Sequence, residues 1–360
     1  MCNENNTTAQ RVSAVRGLFT GWNVDGLLFL NMNNIYYLSG FTGSDGALII
    51  DESGSSLLVD GRYITQAKQE AAAEEIIEYK DKHQAIVGTV RARNLQRIGF
   101  ESAFLSVQQY DQLLAEFTGE VLIPLGDELK LLRACKDKTE ISLMKKAAEI
   151  GSASISSLLG HVQAGCSEKE LAWQLENAAR RLGADQLAFE AIVASGKNSA
   201  LPHAKPTDRQ IRRGDFIVVD FGVKYGGYCS DETCTFAFGE LTDDQKHAYQ
   251  KVKNAHDRAI EAIQAQVLAG DIDKLAREVL GEELTRYFSH STGHGVGLEV
   301  HEAPRLSPDS KDILKAKMVV TVEPGVYLPG HWGIRIEDTV LVKENSCEKI
   351  TKMDKELIII

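Results

Sequence analysis

Phe216-Ile-Val-Val-Asp220-Phe-Gly222 leads through Tyr225-Gly-Gly227 into Tyr228-Cys-Ser-Asp231-Glu-Thr233, and this stretch decides the fold of the chain. Two apolar runs around a glycine turn read as a β-hairpin. The pattern returns at Met318-Val-Val-Thr-Val-Glu323-Pro-Gly325, followed by a Leu328-Pro-Gly330 turn and Gly333-Ile-Arg335-Ile-Glu337-Asp338. Each run carries a carboxylate among apolar neighbours. A first turn centred on Tyr225 and Gly226 sets Asp220 directly opposite Asp231. A second turn centred on Gly330 sets Glu323 directly opposite Glu337. Residues opposed in this way have Cβ atoms about 5 Å apart, and like charges there destabilise the pair. Two such pairs on apolar strands need a compensating cation. No lysine stands at a matching position, so the pattern points to a bound metal. One carboxylate alone would read as a solvated edge residue; two opposed pairs argue against that.

Strand periodicity places Phe216, Val218 and Asp220 on one face, Thr233 with Asp231, and Arg335 with Glu337. A fifth candidate ligand is His294 in Ser291-Thr-Gly-His294-Gly-Val-Gly297, where flanking glycines let the backbone approach closely. Four carboxylates and one imidazole form an oxygen-rich set. It favours Mn²⁺, Co²⁺ or Fe²⁺ over a thiolate-type zinc site, with Zn²⁺ still open. Carboxylates can bridge, so the set has room for two ions about 3.5–4 Å apart. The chemistry expected is hydrolysis of an amide or ester by a metal-activated hydroxide. His203, His290 and His301 also fall in Gly- and Pro-punctuated segments. Each one alone reads first as a structural histidine.

The chain has 360 residues, enough for two domains. Its net charge of −11 argues against a nucleic-acid partner. The polar start lacks a basic region followed by an apolar one, so no signal peptide is expected. No apolar run reaches membrane-spanning length, so no membrane partner is expected either. A cytoplasmic protein follows, in which Cys2, Cys135, Cys166, Cys229, Cys234 and Cys347 are free thiols. Cys229 and Cys234 fit no common zinc spacing and read as packing residues of the hairpin.

Residues 1–128 read as a small α/β domain. Its strand candidates begin at Gly26, Ala47, Ser56 and Val121, and its helices span roughly 8–21, 64–74, 83–95 and 106–117. The second domain, 129–360, reads as duplicated. A helix near 138–159 is followed by one that opens on the capping box Ser167-Glu-Lys-Glu170 and stops at Gly183; the first hairpin comes next. Thr242-Asp-Asp-Gln245 opens a third helix, running to about Val267, and a fourth lies near 271–287 ahead of the second hairpin. Asp220 to Glu323 is 103 residues and Asp231 to Glu337 is 106, a repeat of pattern rather than of letters. A pseudo-two-fold pair of halves brings the four carboxylates together.

These motifs resemble the pita-bread metallopeptidases. The resemblance rests on Ser195-Gly-Lys-Asn-Ser-Ala-Leu-Pro-His203-Ala, Val219-Asp220-Phe-Gly, Cys229-Ser-Asp231-Glu-Thr, Gly293-His294-Gly-Val-Gly-Leu-Glu-Val-His301-Glu-Ala-Pro, Val322-Glu323-Pro-Gly-Val-Tyr327 and Gly333-Ile-Arg335-Ile-Glu337-Asp. It covers residues 130–360 and is most similar to the aminopeptidase P and prolidase group. Tyr37-Leu-Ser-Gly-Phe41-Thr-Gly-Ser and Val59-Asp-Gly-Arg62-Tyr63 resemble that group's creatinase-type N-terminal domain. The resemblance implies a dinuclear centre, most often manganese or cobalt, held by Asp220, Asp231, His294, Glu323 and Glu337, with Asp231 and Glu337 bridging. It implies that Glu323 shuttles a proton, that His203 and His301 contact substrate and stabilise the tetrahedral intermediate, and that His290 lines a proline pocket. Tyr327 and Arg335 match positions behind the ligands or against the substrate. One departure is Asn34, where some aminopeptidase P members carry Asp; an Asn cannot pair ionically with a substrate amine.

The function expected is an Xaa-Pro aminopeptidase acting on short peptides with proline second, as a homodimer by resemblance. The alternative is an Xaa-Pro dipeptidase. The full N-terminal domain argues against a methionine aminopeptidase, and the complete ligand set against a creatinase or a non-enzymatic binding module. The N-terminal cues favour the aminopeptidase.

Overall fold

The computed structural model describes residues 4–360; Cys2 lies outside them. Cys135, Cys166, Cys229, Cys234 and Cys347 are free thiols, as expected. The chain forms two compact units that part between Lys130 and Leu131. Among the described residues, no helix is long and apolar enough to cross a membrane.

The first unit is a six-stranded mixed sheet in the spatial order Glu75–Tyr79, Gly54–Asp60, Ala47–Asp51, Gly26–Phe29, Arg97–Glu101, Val121–Leu125. The three strands from Gly26 to Asp60 pair antiparallel, and the outer ones add in parallel. The central strands are buried along nearly their whole length, as expected of a sheet covered on both faces. The helix expected over 8–21 is broken into Glu4–Arg16 and Phe19–Trp22 at Gly17, a poor helix former. An additional helix spans Met32–Ser39. Asn31 caps it by accepting the Asn33 N–H, and Gly40 ends it at φ 77°. Within that helix Asn34 is buried and donates to Glu101, so its side chain serves this unit's own packing.

The second unit repeats a motif of two helices and a sheet. Lys138–Leu158 and Glu168–Arg181 precede a sheet ordered Glu232–Phe238, Asp215–Phe221, Ile192–Ser195. Asp243–Glu261 and Ala269–Thr285 go with a sheet ordered Glu302–Leu306, Gly293–Gly295, Val319–Val322, Asp338–Val342, Cys347–Lys349. Both expected capping boxes form with reciprocal bonds. The third helix ends at Glu261 rather than near Val267. The backbone of Ala265 and Gln266 instead donates to Lys343 and Leu314 carbonyls, with Gln266 at φ 69°. Tertiary pairing thus overrides an apolar run that reads as helix.

Alternation on the strands divides each sheet into two faces. Ile217, Val219, Phe221, Cys234 and Phe236 pack against Ile150, Leu171 and Leu175 of the first helix pair. Met318, Val320, Val322, Val340 and Val342 pack against Ile260, Ile272 and Ala276 of the second. The opposite faces carry Asp220, Asp231, Thr233, Thr321, Glu323, Glu337 and Thr339. Hydrogen bonds join the two strands across these faces, among them Glu337 N–H to Thr233 O, Thr235 Oγ1 to Arg335 O, and Thr339 Oγ1 to Asp231 O.

The register of the first hairpin differs from expectation. Asp220 faces Thr233, and Lys224 faces Cys229, so Asp231 is diagonal to Asp220 rather than opposite. The turn is Gly226-Gly227, with both residues at positive φ (56° and 83°). A two-residue turn with this geometry matches the twist of its strands, and glycine meets it without strain. The second hairpin has the expected register. Val322 faces Asp338 and Gly325 faces Arg335, which leaves Glu323 and Glu337 opposed between them.

Candidate metal centre

Asp231, His294 and Glu337 are buried, and each offers a ligand atom within 4.8 Å of the others. Glu323 joins them: its Oε1 lies 3.4 Å from His294 Nε2, and Asp231 Oδ2 lies 3.6 Å from the same nitrogen. Asp220 completes the set, its charge bearing on Asp231, Glu323 and Glu337. All five residues expected as ligands therefore converge, despite the shifted register.

Local backbone sets the imidazole. A Cβ on Gly293 would meet Thr321 O at 2.0 Å, and one on Gly295 would meet Ala303 O at 2.3 Å. Only glycine lets these strands close around His294. His294 Nδ1 donates to Gly295 O at 3.1 Å, so in the neutral ring Nε2 is the bare nitrogen. Burial, with the neighbouring His301, pushes His294 down to about 4, which keeps it neutral. Its lone pair thus faces two carboxylate oxygens.

The carboxylates repel one another more than the nearby cation offsets. Burial, then the charges of Glu337, Asp220 and Glu323, raises Asp231 well above the usual range. Burial, then Glu323 and Asp220, does the same to Glu337. Glu323 is pushed up to about 8 by burial, with Arg335 opposing and Asp220 reinforcing. Asp220 Oδ1 is buried with no hydrogen-bond partner among the described residues. Lone pairs aimed at one another in a site poor in hydrogens fit divalent cations.

Arg335 is the cation whose charge bears on Asp231, Glu323 and Glu337 alike. It is 3% exposed and donates to Asp220 Oδ2 at 2.5 Å, Tyr327 Oη at 2.6 Å, Pro202 O at 3.0 Å and Thr233 Oγ1 at 3.2 Å. The hydrogen-bond chain continues from Tyr327 to His290 Nε2 at 2.8 Å, while His290 Nδ1 donates to Ser291 O at 2.8 Å. Both His290 nitrogens are engaged, so the ring offers its carbon face. Phe288 meets that ring edge-on at 5.0 Å. The His301 ring lies 4.4 Å from the His294 ring and is exposed. His203 is exposed on the loop after Gly196–Ala200, near enough for its charge to bear on His290 and His301.

Two supports were not legible in the sequence. Glu168 is fully buried and accepts from Ser195 N and Oγ, Asn198 Nδ2, and Thr207 N and Oγ1. It closes the neck of the loop that carries His203. Asp273 and Arg277 form the other support. Arg277 donates to Phe288 O and His290 O, while Asp273 accepts from Arg277 and from Thr292 N and Oγ1. This pair shapes the segment between His290 and His294. A faint signal existed for it: an Asp and an Arg four apart on one helix face.

A buried cluster of carboxylates and one histidine, built by two repeated halves that follow a creatinase-like α/β unit in the chain, defines a pita-bread metalloenzyme. Residues 142–344 match metallopeptidase family M24, and residues 11–135 match the creatinase/prolidase N-terminal domain. The chain belongs to metallopeptidase family M24 and is an enzyme of that class. It is similar to the solved Xaa-Pro dipeptidase from Bacillus anthracis, at 38% identity and TM-score 0.95, over 98% of this chain and 100% of that one. It is similar to the X-Pro aminopeptidase from Thermotoga maritima, at 37% identity and TM-score 0.90, over 97% and 99%. The Xaa-Pro dipeptidase of Pyrococcus furiosus is 36% identical over 340 residues, 93% of this chain and 95% of that protein.

Proposed function

We propose that this metallopeptidase is a prolidase, hydrolysing the bond between the first residue and the proline of Xaa-Pro dipeptides. The observation that carries the hydrolytic reading is the gathering of four carboxylates in one buried site, two of them beside the bare nitrogen of His294. Two dipeptidases among the similar proteins, matched over nearly their full length, favour the dipeptidase over the aminopeptidase that the N-terminal cues suggest.

Asp220, Asp231, His294, Glu323 and Glu337 would hold two divalent cations, Mn²⁺ by the oxygen-rich donor set and Co²⁺, Fe²⁺ or Zn²⁺ as competitors. Such cations supply a nucleophile at neutral pH and polarise the scissile carbonyl. The protein residues do the rest. Glu323, with a proton affinity near neutrality before metal binds, is suited to carry a proton from the water to the leaving nitrogen. His301 and His203 border the same space and supply hydrogen bonds to the developing oxyanion. His290, its nitrogens tied to Tyr327 and Ser291, presents an apolar ring face to the pyrrolidine. Arg335 is committed to Asp220, Tyr327 and Pro202, so its role is to brace the site rather than to capture a carboxylate from solution.

The test is kcat/KM for Xaa-Pro against Xaa-Pro-Xaa-Xaa after reconstitution with Mn²⁺, Co²⁺ or Zn²⁺. Preference for the dipeptide supports the prolidase reading. Equal or better cleavage of the tetrapeptide returns the enzyme to the aminopeptidases.

A further inference from the structure

Each ligand strand begins with two adjacent acids that point to opposite faces. Asp231 and Glu337 face the metal site; Glu232 and Asp338, one residue on, face away from it. Both of these outward acids are 1% exposed. The segment 349–355 bridges them. Glu232 Oε1 accepts from Lys355 Nζ at 2.5 Å and Met353 N at 3.1 Å, and its Oε2 accepts from Ser152 Oγ at 2.5 Å. Asp338 Oδ1 accepts from Thr351 Oγ1 at 2.7 Å and lies 3.5 Å from Lys355 Nζ. Asp338 Oδ2 lies 2.9 Å from Lys349 Nζ and 3.3 Å from His256 Nε2. Lys355 is thus the one group of this cluster that reaches both acids.

We propose that Lys355 is a positioning residue for the metal centre, clamping Glu232 to Asp338 and so fixing the spacing of Asp231 and Glu337. This rests on the ligand assignment given above. The Lys355 side chain is 3% exposed, on the side of the strands away from the substrate space, so it touches no reacting atom. Burial works against its charge, yet the Glu232 and Asp338 carboxylates outweigh that and hold it protonated. The cation that bears on Asp231, Glu323 and Glu337 is Arg335 instead, so Lys355 acts through placement. Stability alone is a poor account of the cluster, because a buried ion pair gains little over apolar residues of the same shape.

Placement and direct electrostatics predict opposite signs. Deleting a nearby cation would tighten binding of another cation; loosening two ligand strands weakens it. The experiment is calorimetric titration of metal-free protein with Mn²⁺, well below the melting temperature, on wild type, K355M, K355R and E232Q/K355M. K355M is expected to bind about 10–100-fold more weakly, the usual effect of removing a group that orients ligands. K355R, which keeps a donor for both acids, is expected to stay close to wild type. E232Q/K355M removes the buried charge imbalance but not the missing clamp, so it is expected to fold and still bind weakly. Wild-type affinity in either folded variant lacking Lys355, or tighter binding in K355M, overturns the proposal. Absence of Mn²⁺ binding by wild type would instead overturn the ligand assignment beneath it.

Discussion

Thr233 and Glu337 hold each other twice. The Glu337 backbone N–H donates to the Thr233 carbonyl at 3.1 Å, and the Thr233 hydroxyl donates to Glu337 Oε2 at 2.7 Å. These residues sit on different hairpins, 104 positions apart. Thr233 also receives Arg335 Nε at 3.2 Å. One threonine therefore joins the two repeated halves at their shared site.

Replacing that threonine by its near-isostere tests the joint. Thr233→Val keeps the backbone bond and removes the hydroxyl, leaving Glu337 and Arg335 each short of a partner in a buried place. The expected loss is about 1–3 kcal/mol of unfolding free energy, the penalty of unsatisfied buried polar groups. Urea melts of the metal-loaded protein measure it. A change within a few tenths of a kcal/mol would show that the strands need no such link.

Asp220→Ala and Glu337→Ala are expected to abolish hydrolysis and to lower the metal that copurifies with the protein. Each removes an oxygen donor from the buried cluster proposed to hold the metal. Elemental analysis beside an Xaa-Pro assay reads both effects. Unchanged metal in both variants with full turnover would sink the dinuclear reading.

Metal uptake is expected to release protons. In the metal-free fold Glu323 stays protonated up to about 8, against an ordinary 4.5, because burial outweighs Arg335. The native state then holds more protons than the unfolded chain between those values, so its stability falls as pH rises through that window. Bound cations remove the penalty by displacing the proton. Affinity should therefore climb from pH 5 to pH 8 and level off above. Titrations at pH 7 in two buffers of different ionisation enthalpy count the protons released, and a buffer-independent heat would contradict the linkage.

His301→Ala is expected to spare metal binding while cutting kcat by roughly 10²–10⁴-fold, the range for a positioned hydrogen-bonding or acid–base group. The exposed His301 ring stands beside that of His294 but outside the buried ligand cluster. Loss of metal would make it a ligand, and turnover near wild type would leave it a purely structural histidine.

The five ligand candidates were legible because acids are rare inside apolar strand runs and glycines are rare in pairs around a histidine. The family and the two-unit fold followed from the same motifs. The first hairpin's register was missed because Tyr225-Gly-Gly227 admits two centres, and only the pair of positive φ angles selects one. Glu168, His256 and Lys355 were not legible for a different reason. Glu168 reads as an ordinary acid in a helical first turn, and Lys355 lies in an Asp-Lys-Glu run that reads as solvated. Their partners lie far along the chain, 123 positions away for Glu232 and Lys355. No local period carries that information.

Glu168 closes its loop at the neck, and this separates the residues held in place from those left unanchored. Ser195, Asn198 and Thr207 are bound to one carboxylate, and Ser199 is tied to Gly333. Between these anchors, residues 201–206 include the exposed Leu201 and Lys205 on either side of His203. With His203 kept, this short stretch can be exchanged or lengthened while the ends that carry it stay fixed. On the proposed role of His203 against substrate, a change in preference has a ready address there, at little expense to the strands that carry the candidate ligands.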